Sequence, residues 1–125
     1  MGKSATILVV EDEPVVREGV VQLLDHAGYR VFDTFNATDA LKLLAEHPEI
    51  SVLLTDVSMA GMSGMELARE ARTIRPDLRV VLTSGRGNLE VAEPFHFLPK
   101  PWRAGDLDEI LRKACSGAEN SLRRG

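Results

Sequence analysis

Three acidic side chains and one lysine stand directly after apolar runs. Ile7-Leu8-Val9-Val10 leads into Glu11-Asp12, Val52-Leu53-Leu54-Thr55 into Asp56, and Phe95-His96-Phe97-Leu98-Pro99 into Lys100. Short continuous apolar runs are the pattern of buried strands in a parallel sheet. In open α/β sheets the binding site lies just beyond the carboxyl ends of such strands. The three carboxylates and the ammonium are therefore expected to converge. Carboxylates held close together repel, so the site calls for a divalent cation or for raised pKa values.

The residue types suggest what such a site could do. Glu11, Asp12 and Asp56 offer the oxygen ligands that Mg²⁺ takes, usually one or two carboxylates with waters and phosphate oxygens. An Asp carboxylate can act as a nucleophile and form an aspartyl phosphate. Lys100 would offset charge on a transferred phosphoryl group, and the Thr83 hydroxyl could hydrogen-bond it. Each residue alone has a plainer reading. Acids after strands cap helices or sit solvated in loops, a Thr is a good strand former, and a Lys before Pro is commonly a surface charge. Such residues at four strand ends of one fold are harder to assign to coincidence.

The elements that must position them follow from periodicity. Strands are expected at Thr6–Val10, Arg30–Thr34, Ser51–Thr55, Arg79–Leu82 and Phe95–Leu98. The first helix has Pro14 at its first position, a stripe of Val16, Val20, Leu23, Leu24 and Ala27, and Gly28 at its end. The second starts at Asn36, buries Ala37, Ala40, Leu41 and Leu44, and stops by Pro48. The third opens with a capping box, Ser63 with Glu66, and buries Leu67, Ala71 and Ile74. The last carries Leu107, Ile110, Leu111 and Ala114 at helical spacing. Between the fourth and fifth strands, Ser84-Gly85-Arg86-Gly87-Asn88 is turn-like, so the crossover helix there is expected to be shortened or absent. Alternating strands and helices imply an α/β domain with a parallel sheet covered on both faces. One domain over residues 5–115 and a frayed tail at 116–125 are expected.

Composition bounds the function classes. A net charge of -4 argues against a generic nucleic-acid or membrane-surface role. A single cysteine, Cys115, makes neither an intrachain disulfide nor a zinc cluster. No apolar run is long enough to span a bilayer. The expectation is a cytoplasmic protein that binds neither nucleic acid nor membrane.

With these motifs the chain resembles the receiver domain of bacterial two-component response regulators, the CheY-like family. The matching stretches are Ile7 to Glu13, Asp56 to Gly64, Val81 to Gly85 and Phe97 to Pro101. The resemblance implies a flavodoxin-like, doubly wound sheet of order 2-1-3-4-5. It implies that Asp56 accepts a phosphoryl group from a phosphohistidine on a sensor histidine kinase or phosphotransfer protein. It implies Mg²⁺ held by Glu11, Asp12, Asp56 and the backbone carbonyl of Ser58. Thr83 and Lys100 would contact the phosphoryl oxygens, Phe97 would be the aromatic switch coupled to Thr83, and Lys100–Pro101 would be cis. In this family helix 1 carries kinase specificity, which makes Arg17, Glu18, Val21 and Gln22 candidates. The domain would not be an enzyme beyond assisting its own phosphorylation and dephosphorylation, and its output would be binding to an unidentified downstream protein.

Several residues depart from the family pattern. Glu11 stands where many receivers have Asp, Ala60 replaces the usual Pro, and Phe97 replaces the common Tyr. The competing reading is a pseudo-receiver, a module of the same fold that binds partners without phosphorylation. The full set of Asp12, Asp56, Thr83 and Lys100 favours the phosphoacceptor. An aspartyl-phosphate phosphatase would need a second Asp two residues after the nucleophile, where this chain has Ser58.

Overall fold

A computed structural model describes residues 5–59, 61–85 and 95–112. The elements run β1 (Thr6–Val10), α1 (Pro14–His26), β2 (Arg30–Thr34), α2 (Ala37–Glu46), β3 (Val52–Asp56), α3 (Gly64–Ile74), β4 (Arg79–Ser84) and β5 (His96–Pro99). Residues 104–112 form a further helix, α4. The five strands are all parallel, in the order β2-β1-β3-β4-β5. The shortened crossover helix, the domain end at 115, the frayed tail and Ala60 fall outside the described residues.

The apolar runs form strands because both of their faces are covered, and the period of two sorts their side chains. Leu8, Val10, Leu53, Val80 and Leu82 face one way and pack with Ala40 and Leu44 of α2 and Leu67 and Ala71 of α3. Ile7, Val9, Val52, Leu54, Val81 and Leu98 face the other way and pack with Leu24 of α1 and Leu107 and Leu111 of α4. Phe95 and Phe97, two apart, both pack on the first of these faces, while Trp102 packs half-buried on the second.

The helix ends follow the local rules. Pro14 sits at the start of α1. Asn36 Oδ1 accepts the Asp39 N–H at 2.7 Å and caps α2. Ser63 and Glu66 form the reciprocal capping box of α3. Gly28, just past α1, takes a φ of 99°, which glycine adopts without the Cβ penalty. The Lys100–Pro101 bond is cis.

The structure corrects some boundaries and burial. β3 begins one residue later than expected and includes Asp56, β4 runs on through Thr83 to Ser84, and β5 is shifted by one residue. Apolar periodicity misses the ends of β3 and β4 because Asp56 and Thr83 are polar yet stay buried in the ladder. Leu23 and Ile74 are exposed. The buried line of α1 runs through Leu24, and Leu23 lies about 100° around the helix from it. Ile74 is the last residue of α3, and the chain there is secured instead by Arg75. Its guanidinium donates to the carbonyls of Leu44 at 3.4 Å, Pro48 at 3.1 Å and Ile50 at 2.6 Å.

One close approach ties α3 to the strand that carries Asp56. A Cβ on Gly64 would lie 2.2 Å from the Asp56 carbonyl oxygen and 2.9 Å from Val57 Cα. The Gly64 N–H also donates to the Val57 carbonyl at 2.9 Å. Gly64→Ala must push α3 and the end of β3 apart, which should cost about 1–3 kcal/mol. Urea unfolding measures this directly. A midpoint equal to wild type would mean that this loop yields without strain.

Candidate functional site

Each row of side chains on the α1–α4 face of the sheet ends in a polar residue. Ile7 and Val9 continue to Glu11, Val52 and Leu54 to Asp56, Val81 to Thr83, and Leu98 to Lys100. The strand register then sets them side by side. Asp56 pairs with Thr83 across β3 and β4, and the Lys100 N–H donates to the Ser84 carbonyl at 2.9 Å. Glu11, Asp56 and Thr83 are buried, and Lys100 is partly so.

The charges meet at Lys100. Its Nζ donates to Asp56 Oδ2 at 2.5 Å and to Glu11 Oε1 at 3.4 Å. Asp56 Oδ1 accepts the Ser58 N–H at 2.9 Å, and Glu11 Oε2 accepts the Glu13 N–H at 3.2 Å. Burying two like charges together is costly unless a cation and hydrogen bonds satisfy them. Lys100 is that cation, and the two backbone amides take the outer oxygens. The N-terminus of α1 lies beside Glu11, and the positive end of a helix favours negative charge.

The balance shifts two protonation equilibria. Burial raises the Glu11 carboxyl above its usual range. The Glu13 amide and the Lys100 charge pull it down, and Asp56 adds to the rise. Burial alone would lower Lys100, but the hydrogen bond and charge of Asp56, with those of Glu11, outweigh it and the net direction is up.

Thr83 contributes differently. Its hydroxyl is buried and, alone among the buried side-chain polar atoms described, has no hydrogen-bond partner. Buried hydroxyls are normally paired, so an orphan next to the Asp56 carboxylate asks for a reason. It lines a cavity of about 10 Å³ together with Glu11, Asp56, Lys100, Val20 and Trp102.

Of the expected site, the structure brings Glu11, Asp56, Thr83 and Lys100 together. Asp12 follows Glu11 in the same loop, half-buried. Among the described residues no three acidic, histidine or cysteine side chains stand close enough to hold a metal by themselves. The donor chemistry still fits Mg²⁺, which needs only one or two carboxylates and completes its shell with water. Ser58 is exposed in the loop after Asp56. Phe97 is half-buried on the opposite face of the sheet, opposite Leu82 in the ladder. Met59, Met62 and Met65 pack against the core below the loop, as expected of gap-filling methionines.

Two residues with a part in the site were not singled out for it by the sequence. Gly64 shows as one more small residue of a loop. Arg17 reads as helix surface, yet its Nη1 donates to the Glu11 carbonyl at 2.9 Å. Its position one turn into the helix that follows the acidic pair was the available signal.

The raised Glu11 carboxyl sets a sign for stability. A carboxyl whose pKa is higher in the folded chain favours folding when protonated. That contribution is complete below its ordinary value of 4.5 and is lost as pH rises through the folded value. Glu11→Gln should therefore melt higher than wild type at neutral pH without divalent cations, with the gap closing toward about pH 4. Lys100→Met should melt lower at neutral pH, because two facing carboxylates lose their cation. Parallel thermal melts across this range check both, and a Glu11→Gln variant less stable at neutral pH would contradict the assigned direction.

The profile of the response regulator receiver domain family matches residues 7–112. The chain is 43% identical over 118 residues to the response regulator receiver protein CpdR of Brucella abortus, covering 90% of this chain and 98% of that protein. Among solved structures it resembles a response regulator receiver domain protein from Clostridium thermocellum, with a TM-score of 0.82 and 31% identity over 92% of this chain and 97% of that one. It also resembles a chain in a complex of the histidine kinase ThkA with the response regulator protein TrrA, with a TM-score of 0.76 and 27% identity over 88% of this chain and 97% of that one. A longer relative, the sensor kinase CckA of Brucella abortus, is 39% identical over 117 residues, which are 88% of this chain but 12% of the kinase. No helix among the described residues is long and apolar enough to cross a membrane. A matching family profile over most of the chain, a relative matched over nearly its whole length, and a parallel sheet with an acid–lysine cluster at its carboxyl edge place this chain in the response regulator receiver domain family, the signal-receiving module of two-component systems.

Proposed function

We propose that this domain takes a phosphoryl group from a phosphohistidine onto Asp56 and thereby switches its binding to a downstream protein. The observation that carries this is the orphaned Thr83 hydroxyl, directly opposite Asp56 in the ladder and beside an ammonium already hydrogen-bonded to the carboxylate.

In the transfer, a lone pair of an Asp56 carboxylate oxygen attacks phosphorus. The bond from phosphorus to the imidazole nitrogen breaks, and its electron pair stays on the departing imidazole. Lys100 remains near the transferred group and offsets its charge. Thr83 gains the acceptor that its buried hydroxyl lacks. The backbone amide of Ser58 steadies the other side of the carboxylate. Mg²⁺, held by the carboxylates of Glu11, Asp12 and Asp56 and the carbonyl of Ser58, would supply neutralising charge at the phosphoryl oxygens.

Phosphorylation adds about -1.5 to -2 charges and three acceptor oxygens at one point. Thr83 and Lys100 are drawn toward them, and Phe97 on the neighbouring strand adjusts as the aromatic switch. The change biases an existing equilibrium and is limited by how differently the two states contact the phosphoryl group. The donor we favour is a histidine kinase or phosphotransfer protein, which the similarity to a receiver seen beside the kinase ThkA supports. Arg17, Glu18, Val21 and Gln22 line an open groove on α1 with Pro14, Val15 and Asp33, a surface suited to that contact.

Intact mass after incubation with Mg²⁺ and a small acyl phosphate tests the reading. Wild type should gain one phosphoryl group and Asp56→Asn none. Thr83→Ala should gain it roughly tenfold or more slowly, the cost of one hydrogen-bond donor to the transferred group. No gain by folded wild type would exclude the phosphoacceptor reading and favour constitutive binding.

A further inference from the structure

Arg17 makes three contacts at once. Its Nη1 donates to the Glu11 carbonyl at 2.9 Å, its Nε donates to Asp33 Oδ2 at 3.2 Å, and its guanidinium lies 5.8 Å from the centre of the Phe35 ring. Its side chain is only 20% exposed. The Glu11 N–H donates to the Thr34 carbonyl at 3.2 Å. Both backbone groups of Glu11 are thus anchored on the β2 side, one directly by β2 and one through Arg17.

The geometry has a consequence at the next residue. The Glu11–Asp12 peptide is planar, so a fixed Glu11 carbonyl fixes the Asp12 N–H in the opposite direction. From there the chain places the Asp12 carboxylate and the Glu13 N–H that holds Glu11 Oε2. Arg17 is suited to this work because a planar fork can serve a carbonyl and a carboxylate together, while a lysine is a single point charge.

We propose that Arg17 is the positioning residue of the acidic loop: by clamping the Glu11 carbonyl to Asp33 and Phe35 of the β2 side, it sets where the Glu11 and Asp12 carboxylates stand and so sets divalent-cation affinity. The inference rests on the cation role proposed above for those two residues.

Two physical effects of removing Arg17 have opposite signs, and this makes the test decisive. As a positive charge near the acids, Arg17 repels a cation, so its loss should tighten Mg²⁺ binding. As a clamp, it pre-forms the site, so its loss should weaken binding. Groups that orient metal ligands typically change affinity by about 10–100-fold.

Calorimetric titration with Mg²⁺ alone, on wild type, Arg17→Ala and Arg17→Lys, reads the sign. Amide exchange of Asp12 and Glu13, with Leu53 and Val81 as core references, reads the loop without any cation. We expect Arg17→Ala to bind Mg²⁺ about tenfold more weakly, with faster exchange at Asp12 and Glu13 and unchanged core references. Arg17→Lys should fall between. Affinity equal to or tighter than wild type in a folded Arg17→Ala variant overturns the proposal. If wild type itself binds no Mg²⁺, the cation reading fails separately. The loop exchange then decides whether Arg17 positions the loop: faster exchange at Asp12 and Glu13 upholds the clamp, and unchanged exchange overturns it.

Discussion

Two buried carboxylates at neighbouring strand ends need a cation, and Lys100 supplies it. Without its ammonium, Glu11 and Asp56 would face each other in a poorly solvated corner. Two unit charges about 4 Å apart interact by roughly 4 kcal/mol at the effective dielectric of a protein surface. That is a large part of the 5–15 kcal/mol by which an ordinary domain stays folded. The strand ends, the loop after β3 and the placement of β5 are all consistent with serving this one contact. If Asp56 accepts a phosphoryl group as proposed, a cation already hydrogen-bonded to its carboxylate needs little movement to meet the added negative charge.

The sheet makes the convergence possible through simple parity. Glu11, Asp56, Thr83 and Lys100 each extend a row that is apolar further back along its strand. A slip of one residue in any strand would send its polar end to the other face. Burial on both faces forbids that slip, because each strand would lose its match to the helices. Core packing that has no chemistry of its own therefore fixes the register of the chemistry.

Loops finish what the strands begin. Gly64 lets α3 start against the backbone of Asp56 and Val57, and the Ser63–Glu66 capping box fixes that start. On the other side, Arg17 in the first turns of α1 reaches back to the carbonyl of Glu11. Helix beginnings on both faces of the sheet thus grip the ends of β1 and β3, so a change at Asp56 meets neighbours that are already restrained. Phe97, on the face away from Thr83, is separated from the acid cluster by the thickness of the sheet, so any coupling between them would have to pass through β4 and β5.

The sequence by itself determined the element types, most of their boundaries and the acid–lysine constellation. Those features rest on short-range rules: period-two and helical apolar spacing, Pro14, the Asn36 cap and the Ser63 box. The site residues were legible because they interrupt apolar runs at strand ends. Three-dimensional structure alone decided the rest. Nothing local says that Lys100 pairs with both Glu11 and Asp56, because the pairing joins residues 89 and 44 positions apart through sheet order and register. Nothing local separates Leu23 and Ile74, exposed, from Leu24 and Ala71, buried, since helical spacing gives a stripe and only packing says where cover ends. Gly64 and Arg17 acquire their meaning only when α3 and α1 come to lie against strands whose ends they touch. Local spacing fixes what a residue can do, and long-range packing fixes which neighbour it does it to.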